Sequence, residues 1–199
     1  MARKPRVEFP GAFYHVTARG NAQADIFHSD DDRLDFLQIL ADVIERCGWV
    51  LHSYCLMTNH YHLLIETPEA NLGKGMQLLG GTYTHRFNRR NKRVGHVFQG
   101  RYKAVIVEKE SHLLEVSRYI VLNPVKAGMV KSAIDYRWSS FLDIAGRRKA
   151  PRWLATDEIL GMFNVKRGLA KKAYAKFVEE TSFESPVKEL RWGLILGSK

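Results

Sequence analysis

Cysteine is scarce: Cys47 and Cys55 are the whole complement of the 199 residues. Two thiols are too few for a disulfide framework or a structural zinc knuckle, and they point to a reducing compartment. No apolar run approaches the roughly 20 residues that span a bilayer. The start, Met1-Ala2-Arg3-Lys4-Pro5-Arg6, lacks the apolar stretch of a secretory signal, so a cytoplasmic protein with no membrane partner is expected. Also missing are a His-Glu-x-x-His pair, a Walker loop and a dinucleotide glycine motif, which argues against a zincin, an NTPase and a Rossmann oxidoreductase. Acid is the minority charge, with Asp plus Glu at 21 against Lys plus Arg at 31, a net +10. That excess fits a polyanionic partner, nucleic acid first, although a merely soluble basic surface has the same composition.

What is present is enough for one good core, since 45% of the residues are hydrophobic. Residues 12–18 alternate and are rich in aromatic and β-branched side chains, which predicts a strand ending at Arg19-Gly20-Asn21. Residues 30–47 carry Leu34, Leu37, Leu40, Ile44 and Cys47 at helical spacing behind Asp30, Asp31 and Asp32. Strands over 49–55 and 60–66 follow, joined by Met57-Thr58-Asn59 as a hairpin. Residues 71–88 place Leu72, Met76, Leu79, Tyr83 and Phe87 on one helix face before a basic tip, and Gly80-Gly81 inside it predicts a kink or a close backbone approach. With a strand over 102–107, the order is β-α-β-β-α-β, an α+β, ferredoxin-like antiparallel sheet with two helices on one face. Residues 1–150 are expected to form the main domain. Residues 151–199 read as a C-terminal helical appendage, with helices over 157–163 and 168–180, and the apolar end at Leu194-Ile195-Leu196-Gly197 leaves room for a longer protein.

The chemistry centres on His60-Tyr61-His62. Side chains alternate along a strand, so His60 and His62 share a face with Cα atoms roughly 7 Å apart, while Tyr61 and Leu63 turn to the core. Two imidazoles so placed are half of a metal site, but with eight histidines in the chain the spacing alone arises often by chance. A partner comes from the helix beginning near Ser111, its expected N-cap, and ending at Arg118-Tyr119-Ile120-Val121-Leu122-Asn123-Pro124. Proline after Asn123 disfavours helix there and puts Asn123 in the last turn. Tyr119 and Asn123 are i and i+4, neighbours on one face, with Glu115 a turn earlier. If that face looks at the two histidines, a phenol lies beside a two-imidazole, one-amide site suited to nucleophilic attack on a polarised phosphate.

These residues carry a resemblance. The His-x-His pair followed by Tyr-x-x-x-Asn on a helix is similar to the HUH single-tyrosine nucleases. The phrases Phe13-Tyr14-His15-Val16-Thr17-Ala18-Arg19-Gly20-Asn21, Met57-Thr58-Asn59-His60-Tyr61-His62-Leu63-Leu64, Phe98-Gln99-Gly100-Arg101-Tyr102-Lys103 and Arg118-Tyr119-Ile120-Val121-Leu122-Asn123-Pro124-Val125-Lys126-Ala127-Gly128 resemble the REP-associated tyrosine transposases, relatives of the bacterial single-strand insertion-sequence transposases. The likeness spans about residues 5–142, and four phrases in one order make it far more specific than any one of them. It implies that Tyr119 attacks DNA and that His60, His62 and Asn123 hold a divalent metal. Related transposases often carry Gln where Asn123 stands. Imidazole by itself favours zinc, whereas the resemblance implies Mg2+ or Mn2+, the expectation kept here. It further implies a bacterial protein of the cytoplasm, at the nucleoid when DNA-bound, acting on single-stranded hairpin DNA of repetitive extragenic palindromes. Monomer and homodimer both stay open, because the Tyr119 helix can serve its own site or a partner copy's.

Candidate DNA contacts are Arg3, Lys4 and Arg6 of the N-terminal arm, Arg19 and Asn21, the tip residues Arg89, Arg90, Lys92 and Arg93, and Arg101 with Lys103. A charge run at a helix end is as a rule a solvated face. His15 joins the metal site if its strand neighbours that of His60, but a buried hydrogen-bonded histidine is the commoner outcome, for His15 and for His52. Tyr136-Arg137-Trp138 could stack on bases, although packing is the usual role of such residues. The rival readings are a non-catalytic nucleic-acid-binding module on a ferredoxin-like sheet, indifferent to metal and to Tyr119, and a replication initiator or relaxase with the same chemistry.

Overall fold

The computed structural model describes residues 7–180 and the pair Ile195–Leu196, with only the backbone of Lys109, Glu110, Ser111, Ile195 and Leu196. Arg3, Lys4 and Arg6 lie outside the described residues. The sheet comprises β1 (Ala12–Arg19), β2 (Val50–Leu56), β3 (His60–Thr67) and β4 (Lys103–Val107), in the spatial order β2-β3-β1-β4 with antiparallel neighbours. This is the ferredoxin-like plan expected from the sequence. At the outer edge β5 (Ile195–Leu196) adds a two-residue parallel pairing to β4.

Helices α1 (Asp30–Cys47) and α2 (Leu72–Arg90) cover one face. Serine starts α1: Ser29 Oγ accepts from the Asp32 amide while Asp32 accepts from the Ser29 amide, a reciprocal capping box. Three aspartates in the first turn favour the helix N-terminus, and Gly48 at φ 65° closes the other end in the left-handed conformation. The buried stripe of α1 is Phe36, Ile39, Leu40, Val43, Ile44 and Cys47, so the apolar face is rotated from the expected one and Leu34 is exposed. Phe36 meets Tyr61 of β3 and Tyr83 of α2 with ring centroids 4.7 and 5.1 Å apart. Aromatic residues this buried each contribute about 1.5–3 kcal/mol by leaving water.

Gly80 and Gly81 differ from expectation, since α2 runs through them unbroken and nothing lies within 4 Å of where their Cβ atoms would be. The close approach is at Gly75, where a Cβ would sit 2.0 Å from the Trp49 ring. Trp49 is held there by its indole N–H donating to Asn71 Oδ1 at 2.7 Å.

The opposite sheet face carries α3 (Lys109–Val121), which begins two residues before the expected Ser111 cap, with Glu108 at the N-cap position. The helix breaks at Leu122, and Asn123 opens the next helix, α4 (Asn123–Lys126), with Pro124 in its first turn, where a missing N–H costs nothing. Tyr136, Trp138 and Ser139 pack on β2: Tyr136 Oη donates to the Leu56 carbonyl at 2.7 Å, and the Leu56 amide donates to Trp138 O at 2.9 Å. Short α5 (Phe141–Ile144), α6 (Asp157–Gly161) and α7 (Arg167–Glu179) share a second apolar core with Val121 and Leu122 from the end of α3. No described helix is long and apolar enough to cross a membrane.

Candidate active site

The strand register fixes which residues meet. Thr17 of β1 lies opposite His62 on β3 and Lys103 on β4, and Arg19 lies opposite His60. Alternation then sends His15, Thr17, Arg19, His60, His62 and Lys103 to the α3 face and Tyr61 and Leu63 to the core, as read from the sequence. Chain direction gathers the end of β1, the start of β3, the end of α2, the start of β4 and the end of α3 at one end of the sheet.

Tyr119 projects from α3 onto the histidines. Its ring meets those of His15 and His62 edge-on, with centroids 5.7 and 5.9 Å apart, and His60 meets His62 at 5.1 Å. His15 is 5% and His62 6% exposed, while His60 is half-buried. Burial pushes the His15 and His60 imidazoles down to about 4, aided at His60 by Arg19, and pushes His62 well below its usual range, with His15, His60, Arg19 and Lys126 adding to the effect. All three rings are therefore neutral near pH 7, the state in which imidazole ligates metals.

Neighbours orient the rings. Asn59 Nδ2 donates to the Gln23 carbonyl at 3.0 Å, which leaves Asn59 Oδ1 to face His60 Nδ1 at 2.7 Å. An amide oxygen only accepts, so the His60 proton is on Nδ1 and the Nε2 lone pair is left over. His62 Nδ1 lies 2.9 Å from His15 Nε2, and His62 Nε2 is buried with no hydrogen-bond partner. Asn123 Nδ2 donates back to the carbonyls of Tyr119 and Ile120 at 2.8 and 3.3 Å, so its amide oxygen is the atom left for another group. Among the described residues no group of three or more His, Cys, Asp or Glu gathers to hold a metal. The spare Nε2 lone pair of His60 and the orphaned buried Nε2 of His62 nevertheless fit a divalent cation if an amide or phosphate oxygen completes the set.

Lys126 is a residue that motif reasoning did not single out. Its Nζ stands 4.3 Å from the centroid of the Tyr119 ring. The i+7 spacing from Tyr119 puts it two turns along the same face, a signal readable from the sequence once the Tyr119 helix is drawn past its break. Glu115 is ion-paired to Arg118, which also lies over the Phe177 ring at 4.3 Å.

The basic candidates divide. Arg19, Asn21, Arg89, Lys92, Arg93, Arg101 and Lys103 are exposed. Arg90 is bound into the fold, 3.0 Å from the fully buried Asp32 carboxylate and 3.4 Å from Asp35. Arg93 lies 5.8 Å over the Phe87 ring, and Lys92 takes a positive φ of 50° at the α2 tip. The loop after the tip is tied to β1, because the Asn21 amide donates to Val97 O at 2.8 Å and the Gln99 amide to Arg19 O at 3.1 Å.

Comparison with known proteins gives the family and the fold. A family model described as IS200-like transposase matches residues 9–123, a span that contains His15, His60, His62, Tyr119 and Asn123. Among solved structures, a REP-associated tyrosine transposase bound to a REP hairpin superposes with a TM-score of 0.64 at 18% identity, covering 78% of this chain and 92% of that one. At that identity the likeness is one of fold. A candidate transposase from Deinococcus radiodurans R1 has a TM-score of 0.43 at 20% identity, covering 60% of this chain and 95% of the other. A tRNA(His) guanylyltransferase from Saccharomyces cerevisiae also has 0.43, at 10% identity, covering 90% and 76%. No curated protein matches the sequence. With a family match over more than half its length and the shared fold beneath it, this chain belongs to the family of IS200-like transposases, enzymes that act on DNA.

Proposed function

We propose that the chain is a metal-dependent single-stranded DNA endonuclease and strand transferase of the HUH single-tyrosine type, acting on hairpin-forming repeat DNA. The observation that carries this reading is the seating of Tyr119 against His62, whose buried Nε2 lacks a partner, with His60 beside it. Buried polar atoms are as a rule hydrogen-bonded, and a cation held with His60 would satisfy this one.

Tyr119 Oη attacks a backbone phosphorus, forming a tyrosyl–phosphate bond as the bond to the 3′ oxygen breaks. The phenol proton leaves to solvent, and the departing 3′ oxygen takes up a proton to become a hydroxyl. The 5′ phosphate stays on Tyr119, so the bond energy is kept and a 3′ hydroxyl attacking that linkage rejoins DNA without ATP. A phenol with a pKa near 10 is a poor nucleophile at neutral pH, and Lys126 over its ring favours the negative charge that develops. Asn59 holds His60, and Asn123 keeps its amide nitrogen on its own helix, so that His60, His62 and Asn123 would be the residues holding Mg2+ or Mn2+. The ion, when bound, supplies charge stabilisation at the phosphoryl oxygens.

The exposed cations at this end of the sheet supply sequence-independent phosphate contacts. The fold relative bound to a REP hairpin supports a hairpin as the substrate class. Reading of unpaired bases is assigned to the N-terminal arm and the Arg19-Gly20-Asn21 loop, where bases are unstacked and accessible. The test is cleavage of a labelled single-strand hairpin and of its fully paired duplex, with and without chelation. Mn2+-dependent cutting of the hairpin alone is expected. Full activity after exhaustive chelation, or equal cutting of the duplex, would contradict the reading.

A further inference from the structure

We propose that His15 is a positioning residue that accepts the Nδ1 proton of His62 and so holds His62 in the tautomer that offers its Nε2 lone pair. The proposal rests on the reading of His62 as a metal ligand. His15 Nε2 and His62 Nδ1 are 2.9 Å apart between rings inclined by only 15°. Both rings are buried, so a single proton lies between the facing nitrogens. Two arrangements satisfy that contact. If His15 donates, His62 must carry its own proton on Nε2, a buried donor with no acceptor and no lone pair to give. If His62 donates, the orphaned Nε2 atom is a lone pair, which a cation satisfies.

His60 shows the same device in a form that admits one answer. Asn59 Oδ1, fixed by the amide's other bond to Gln23, can only accept from His60 Nδ1. His15 does for His62 what Asn59 does for His60, and both rings then present Nε2. Metal-bound histidines as a rule donate their other ring N–H to such an acceptor, and loss of that acceptor costs about 10–100-fold in metal affinity. His15 reaches His62 because β1 lies between β3 and β4, with His15 two residues from Thr17, the residue opposite His62. Its Nε2 is engaged by His62, which separates it from a third metal ligand.

The test uses the full chain labelled with 15N-histidine, at neutral pH, without metal or DNA. Long-range 15N–1H correlation is expected to find the His62 proton on Nδ1. In His15→Leu that preference disappears, and Mn2+ affinity, read by electron paramagnetic resonance of free Mn2+, falls about 10–100-fold. His15→Gln offers an amide oxygen to the same proton and is expected to keep the tautomer and hold Mn2+ affinity within about threefold of wild type. A wild-type His62 protonated on Nε2 overturns the proposal, as does a His15→Leu protein with unchanged tautomer and affinity. If His15→Gln keeps the tautomer yet loses Mn2+ as His15→Leu does, His15 is a ligand and the positioning role is wrong. If His15→Leu fails to fold, the wild-type spectrum and His15→Gln still decide. Undiminished Mn2+ binding in His62→Ala would instead defeat the metal reading itself, whatever His15 does.

Discussion

Lys126 Nζ stands 4.3 Å from the centre of the Tyr119 ring, and the two residues belong to different helices, α4 and α3, joined by the break at Leu122. The break matters to the site. A continuous helix would carry proline in its interior, whereas a restart at Asn123 lets Pro124 sit in a first turn while Asn123 and Lys126, i+4 and i+7 from Tyr119, stay on its side.

Removing that cation should slow chemistry more than it weakens DNA binding. An exposed cation over a ring is worth about 0.5–1 kcal/mol, so Lys126→Met is expected to slow adduct formation at saturating DNA about two- to fivefold. Lys126→Arg should keep most of the rate, because a guanidinium also sits over aromatic faces. Single-turnover rates at two DNA concentrations separate the effects. A defect that vanishes at saturation would make Lys126 a phosphate contact only.

Arg89 and Arg90 are sequence neighbours with different work. Arg89 is exposed and makes no ion pair among the described residues, so Arg89→Ala should leave Tm unchanged and lower the salt dependence of DNA binding by about one phosphate contact. Arg90 neutralises the fully buried Asp32 carboxylate. Because its own side chain is 39% exposed, solvent screens part of the interaction, and Arg90→Ala is expected to cost about 1–2 kcal/mol, a few degrees of Tm. Thermal melts and salt titrations of both variants check the contrast, and equal Tm losses would refute it.

The glycines of α2 give a test of packing that is independent of chemistry. Gly80→Ala and Gly81→Ala fill open space and should each stabilise by about 0.5–1 kcal/mol. Gly75→Ala drives a methyl into the Trp49 ring and should destabilise by about 1–3 kcal/mol. Denaturant midpoints measure all three, and a destabilised Gly80→Ala would mean that the surface there is covered.

How far the sequence reached can be seen in these same residues. Period-2 alternation put His60 and His62 on one face and Tyr61 in the core, because a strand leaves side chains no other choice. Helical spacing paired Tyr119 with Asn123 even though the helix breaks between them, since α4 starts in register with the turn before it. What alternation cannot state is which face meets which helix at which height. The roles of Asn59 and His15 at the two imidazoles come from contacts across strands or within a tight turn, and no local pattern encodes them. Arg90 looked like its neighbours because a buried partner 58 residues away is invisible to a charge count. Gly80-Gly81 misled for the converse reason: glycine marks conformational freedom, but only the neighbourhood says whether that freedom is used.

If Tyr119 is the nucleophile, the covalent intermediate can be trapped on it. Labelled single-stranded hairpin DNA incubated with Mn2+ and run on a denaturing gel should yield a protein–DNA adduct, joined through the 5′ phosphate and leaving a free 3′ hydroxyl. Tyr119→Phe removes one hydroxyl and should abolish the adduct while leaving the fold, Mn2+ binding and DNA binding nearly intact. An adduct that persists in Tyr119→Phe, or wild-type cleavage with no covalent species at any time, would contradict the account.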